Sequence, residues 1–152
     1  MFGQKWVAKR FFNTDGKETA SAKDNEVQLG LEAARLQDAK DIYKEFTIFA
    51  KKQSVAIADN IKITDFRIAA EVTSSGRKPS PASGVTEDDW LGTDVLDQRI
   101  VWLLEPLRLG NVDKWSGTTQ FPSHNNIIGD TLSTFAHFSI QYTHDTVVFA
   151  DP

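Results

Sequence analysis

From about Ala22 to Lys52 the chain carries no proline and a single glycine, Gly30, and is filled with Ala, Leu, Glu, Gln and Lys. Helix is what such a stretch favours, because these residues lose little side-chain freedom in a helix and none of them removes a backbone donor. Val27, Leu31 and Ala34 fall on one face, and Leu36, Tyr43, Phe46 and Phe49 extend the apolar side. The pattern predicts one long helix, or two broken near Asp38 to Asp41. A helix of that length dominates a chain of 152 residues, so the remaining segments are read for what packs against it.

Lys5 to Phe12 is short, rich in aromatic and apolar residues, and runs into the turn signal Asn13-Thr14-Asp15-Gly16. It reads as a strand that must pair with something later in the chain. Val55 to Val72 mixes Ile61, Ile63, Phe66 and Ile68 with polar residues in near alternation, which suits two short strands. Thr73 to Gln98 holds Gly76, Pro79, Pro81, Gly84 and the acidic cluster Glu87-Asp88-Asp89, and is expected to be an exposed insertion. Arg99 to Leu104 reads as a strand stopped by Glu105-Pro106, and Arg108 to Asn126 as irregular. A helix from about Thr131 to Tyr142 with Asp130 as N-cap, then a strand Thr146 to Ala150, complete the order. Strands and helices mixed without regular βαβ alternation predict an α+β fold, and the length predicts one domain.

Composition narrows the function. Seventeen Lys and Arg stand against 21 Asp and Glu, for a net charge of −4, and the basic residues nowhere cluster. Nucleic acid and anionic membrane are thereby disfavoured as partners, since both need grouped cations. The absence of cysteine removes thiol nucleophiles, redox pairs and thiolate zinc sites, and suits a reducing compartment. With no apolar run long enough to span a bilayer and no signal-peptide pattern at Met1 to Arg10, the cytoplasm is the expected location. The P-loop, the dinucleotide fingerprint, the zincin and nucleophile-elbow motifs and the H-R-D and D-F-G signatures of conventional kinases are all missing.

A few residues remain as candidates for chemistry. Lys9 sits in an apolar strand, where a lysine either snorkels to the edge or finds an anion, and where a lysine facing a cleft can hold nucleotide phosphates. Glu105-Pro106 follows a buried strand and either simply ends it or offers backbone groups to a flat polar ring such as adenine. Lys114 lies in the following loop beside Trp115. His137 and His144 are seven residues apart, which on one continuous helix puts two metal ligands on one side. Asp151 follows the apolar run Val147 to Ala150, the kind of strand end where metal-binding aspartates sit in phosphoryl-transfer sites.

Three segments, in order, resemble the alpha-kinase family of atypical protein serine/threonine kinases. Trp6-Val7-Ala8-Lys9-Arg10-Phe11-Phe12 is similar to its strand carrying the ATP-binding lysine. Trp102-Leu103-Leu104-Glu105-Pro106-Leu107 through Asp113-Lys114-Trp115 is similar to its hinge, with a lysine at the family's usual interval after the hinge glutamate. Thr131-Leu132-Ser133-Thr134-Phe135-Ala136-His137-Phe138-Ser139 running into Val147-Val148-Phe149-Ala150-Asp151 is similar to its helix-then-strand ending at the metal-binding aspartate.

The resemblance implies an atypical protein-kinase-like fold, an N-terminal-lobe sheet with a long helix plus the start of the C-terminal lobe. It implies that Lys9 contacts ATP phosphates, that backbone groups of Glu105 and Leu107 hold adenine, that Lys114 joins the nucleotide site, and that Asp151 binds magnesium. Glu32 is the acidic partner it suggests for Lys9, and His137 corresponds to the family's zinc ligand in this helix. The chain opens at about the lysine strand and closes before the family's second catalytic aspartate and substrate loop, so a single partial domain over residues 1–152 is expected. Two functions stay open: magnesium-dependent transfer of the ATP γ-phosphoryl group to a protein Ser or Thr, or an inactive nucleotide-binding or protein-interaction module. A partial domain is also expected to expose apolar surface at Phe135, Phe138 and Phe149 and to self-associate.

Overall fold

A computed structural model of the chain describes residues 3–11, 20–72, 79–86, 90, 99–110 and 126–149. Its elements are β1 (Trp6–Lys9), α1 (Ala22–Lys52), β2 (Arg67–Val72), a short 3-10 turn (Pro81–Ser83), β3 (Arg99–Pro106) and α2 (Ile127–Tyr142). The strands form one antiparallel sheet in the order β1-β3-β2, so the architecture is α+β. β1 pairs with β3, far later in the chain, in a register that sets Trp6 opposite Pro106 and Lys9 opposite Leu103.

The helix is single and unbroken. Ser21 caps it, donating from Oγ to Asp24 and accepting from the Asp24 N–H, and Asp24 adds negative charge to the first turn. It ends in a Schellman motif: Ser54 is left-handed (φ 56°), the Val55 N–H donates to the Ala50 carbonyl and the Ser54 N–H to that of Lys51. α2 ends the same way, with His144 left-handed (φ 52°), the Asp145 N–H on the Ile140 carbonyl and the His144 N–H on that of Gln141. Its N-cap is Asn126, whose side chain accepts from Ile128 and Gly129, and Asp130 instead sits in the first turn.

Two compact units divide the chain, residues 1–36 with 64–108 and residues 37–63 with 109–152. In the first, alternate residues of β3 face opposite ways and build a cluster on each face of the sheet. Val101 and Leu103 pack with Leu29 of α1, joined by Ala33, Leu36 and Phe66. Ile100 packs with Ala22 and Trp90, joined by Val85 and Trp102. In the second unit Ile42, Phe46 and Phe135 form the core, with Tyr43, Ile57, Phe138 and Phe149 against it. The Ala58 N–H ties the chain after α1 to α2 by donating to Thr131 Oγ1 at 2.9 Å.

Several expectations change. The stripe of α1 that faces the sheet is Asn25, Leu29, Ala33 and Leu36, while Val27 and Leu31 are 52% and 47% exposed. The wheel position decides this: Val27, Leu31 and Ala34 lie nearly half a turn around the helix from Leu29 and Leu36. Of 55–72 only Arg67–Val72 is a strand, and β3 runs through Glu105 to Pro106 instead of stopping before it. Residues 147–149 are irregular, and Ala150 lies outside the described residues. Much of 73–98 is also outside them, but its described part contributes Ser83 and Trp90 to the interior. Phe135 is 1% exposed, its ring stacked with Phe149 at 5.5 Å, so the apolar surface expected there is covered.

Candidate functional site

The site residues that the described structure brings together lie at the β1–β3 edge of the sheet. The register sets Val7 opposite Glu105 and Lys9 opposite the buried Leu103. Directly opposed residues of an antiparallel pair share a face, so Lys9 and Glu105 are diagonal neighbours, within reach of long side chains. Lys9 Nζ donates to Glu105 Oε2 at 2.6 Å. The Lys9 side chain is 52% exposed and that of Glu105 only 16%. The strand lysine has thus found an anion, and the anion comes from the next strand. Glu32 is not that partner, because its carboxylate is taken by Arg35 at 3.2 Å on its own helix.

The Glu105 to Leu107 segment is also held through its main chain. The Leu107 N–H donates to the Lys5 carbonyl at 2.8 Å. Hydrogen-bonded and non-hydrogen-bonded pairs alternate along an antiparallel ladder, so Val7–Glu105 and Lys9–Leu103 are hydrogen-bonded pairs like Lys5–Leu107. Pro106 then falls at a non-hydrogen-bonded position, where its missing N–H costs the β1 ladder nothing. β2 pairing ends at Leu104, so the last two residues of β3 have a partner on the β1 side alone.

One functional-looking residue that the sequence did not flag governs where β1 ends. Asn25 of α1 is completely buried, accepts from the Phe11 N–H at 3.0 Å and donates to the Val101 carbonyl at 2.8 Å. By the register Phe11 and Val101 are the next hydrogen-bonding position after Lys9–Leu103. The Asn25 amide stands between them, bridging the two strands at the point where they part. Its only sequence signal is a lone amide at helical spacing from Leu29, and that is indistinguishable from a solvated position without the sheet.

A second polar tie lies on the other side of the sheet. The Glu71 carboxylate accepts from the Ser80 N–H (2.9 Å), the Ser80 hydroxyl (3.2 Å) and Trp102 Nε1 (3.3 Å). It fastens the segment after β2 to β3. Arg67 stacks its guanidinium 4.6 Å from the centre of the Trp6 ring.

The remaining candidates do not gather. Lys114 and Asp151 lie outside the described residues. His137 is on the exposed side of α2, and the left-handed turn at His144 ends the helix between them, so the two do not form a pair along one helical face. Among the described residues no three His, Cys, Asp or Glu side chains converge as a metal site. The sequence has no cysteine, so His137 has no thiolate of this chain to share a zinc ion with. A groove of about 220 Å³ lined by Glu26, Gly30, Ile68, Ala70, Arg99 and Val101 lies along the β2 side, away from Lys9, and is smaller than the roughly 300–1,000 Å³ of usual small-molecule pockets.

Compared with known proteins, the sequence matches the alpha-kinase family over residues 1–151. The chain belongs to the alpha-kinase family. No curated protein and no solved structure matches it. Alpha-kinase membership identifies the region as protein-kinase domain sequence, and the α+β sheet with its long helix is consistent with that family. No helix of the described residues is long and apolar enough to cross a membrane.

Proposed function

We propose that this alpha-kinase chain binds ATP with magnesium and serves the transfer of its γ-phosphoryl group to a Ser or Thr hydroxyl of a protein substrate. The observation that carries the reading is the Lys9–Glu105 edge, within a family match that covers nearly the whole chain. Lys9 offers an exposed ammonium with two N–H donors beyond the one given to Glu105, a donor set that suits phosphate oxygens. In this reading Glu105 and Leu107 meet adenine through their main chain, Lys114 adds a cation, and Asp151 supplies a carboxylate to magnesium. Magnesium, when bound, would supply positive charge that offsets the negative charge of the phosphates. The chain's own residues hold, orient and counter charge, which is most of what phosphoryl transfer asks of a protein. Absence of cysteine suits a reducing compartment, and the cytoplasm is the location the reading assigns.

A second reading, an interaction module that takes no nucleotide, has one observation in its favour. The Leu107 N–H is already given to Lys5, so adenine can accept it only if the start of β1 lets go.

Thermal unfolding with and without Mg-ATP separates the two. Ligand at about 100 times its Kd adds roughly 2.7 kcal/mol of apparent stability. The expected result is a magnesium-dependent upward shift that Lys9→Ala removes. A folded wild-type protein with no shift sinks the nucleotide reading and leaves the module. Transfer of labelled phosphate from ATP to a Ser/Thr protein then tests the reaction itself.

A further inference from the structure

We infer that the Glu105 side chain is a positioning residue for phosphate: it anchors the Lys9 ammonium so that the lysine meets a nucleotide's phosphates from a fixed place, an inference that rests on the reading of Lys9 above. The sequence assigns Glu105 only main-chain contacts. The structure adds its carboxylate, at 2.6 Å from Lys9 Nζ.

The unequal exposure of the two partners gives the direction of the effect. Glu105 is the sheltered member, on the central strand, and Lys9 the open one, on an edge strand. A lysine side chain is a flexible four-carbon stem that wanders when its head is solvated. Bonded to a sheltered carboxylate, the head is confined to the β1–β3 edge while two of its donors stay directed elsewhere. Among the described residues Glu105 is the carboxylate within ion-pair distance of Lys9 Nζ. Glu32, the acidic residue on the long helix, is occupied by Arg35. Anchoring from a neighbouring strand also makes the lysine's place depend on the β1–β3 register, which Asn25 and the Lys5–Leu107 bond fix at the two ends.

Two measurements on wild type and Glu105→Gln test the anchor. The first needs no nucleotide: brief acylation with acetic anhydride, with Lys9 labelling read by mass spectrometry against the exposed Lys62. An exposed ion pair is weak, so the variant is expected to label Lys9 about threefold faster than wild type does. Equal labelling overturns the anchor. The second compares affinity for Mg-ATP with affinity for adenosine. Loss of a placed ammonium lowers the ATP-to-adenosine affinity ratio by about fivefold, whereas a general loosening of the hinge moves both ligands together. A ratio that stays level or rises overturns the positioning role. Should Glu105→Gln not fold, Glu105→Asp serves: it keeps the charge one methylene back and is expected to lower the same ratio. Wild type binding neither ligand removes the nucleotide reading and the positioning role with it, and the labelling result then still tells whether the ion pair stands.

Discussion

The unit containing the sheet and the unit containing α2 are stabilised by different means. Around the sheet the cores are small and assembled largely from aliphatic and small residues with two tryptophans, and named polar ties secure the chain: Asn25 between β1 and β3, Glu71 to Ser80 and Trp102, Lys9 to Glu105, and Arg99 bidentate to Glu26. Around α2 the core is aromatic, with Tyr43 edge-on to Phe135 at 5.2 Å, Phe46 at 5.6 Å from Phe135, and Phe138 at 5.5 Å from Phe46. The apolar burial of rings is non-directional and their edge-on and offset preferences are broad, while hydrogen bonds weaken steeply with distance and angle. The candidate chemistry lies where the directional contacts are.

The contrast is broken most forcefully at Phe135. Removing its ring from the aromatic core leaves a cavity, and Phe135→Ala is expected to cost about 3–5 kcal/mol in denaturant unfolding. Hydrogen exchange should locate the loss in residues 37–63 and 126–149, with the sheet amides affected much less; equal loss in both units would mean that they unfold as one. Asn25→Ala is the converse. It strips partners from the Phe11 N–H and the Val101 carbonyl and is expected to cost about 2–4 kcal/mol, with exchange rising first at Phe11 and Lys9. A cost near zero would show that water replaces the amide without penalty.

The smallest effect sharpens the comparison through pH. Burial in the aromatic cluster raises the Tyr43 phenol above its ordinary value of 10.0. The unfolded chain therefore loses that proton first, so the stability it contributes is fully present below pH 10 and is lost as pH rises through the folded value. Tyr43→Phe should flatten the stability curve above pH 10 and leave it unchanged below. An identical curve for the variant and wild type would place the phenol in water.

Much of the fold was legible because long local patterns carry it. The proline-free run from Ala22, the apolar strand at Lys9 and the apolar run into Glu105-Pro106 each became the expected kind of element, and the family resemblance rested on those segments. Leu36, Tyr43 and Phe46 were legible as the apolar side of α1 and do pack inward, but the core face of the turns before them was not. The residues that pack there include Asn25 and Ala33, while the more apolar Val27 and Leu31 face outward, so hydrophobicity alone selected the wrong stripe. Helix ends were also hidden, since Ser54 and His144 occupy the left-handed positions that glycine normally marks.

By itself the sequence determined the α+β class, the absence of thiol chemistry, the alpha-kinase membership and the lysine to watch, because each rests on residue types or their order along the chain. Only the tertiary structure decided that Lys9 is held by Glu105 and not Glu32, that Leu107 already gives its N–H to Lys5, and that Asn25 stitches two strands. Those facts depend on register. Lys9 and Glu105 are 96 residues apart, and a slip of one residue between β1 and β3 would put them on opposite faces of the sheet.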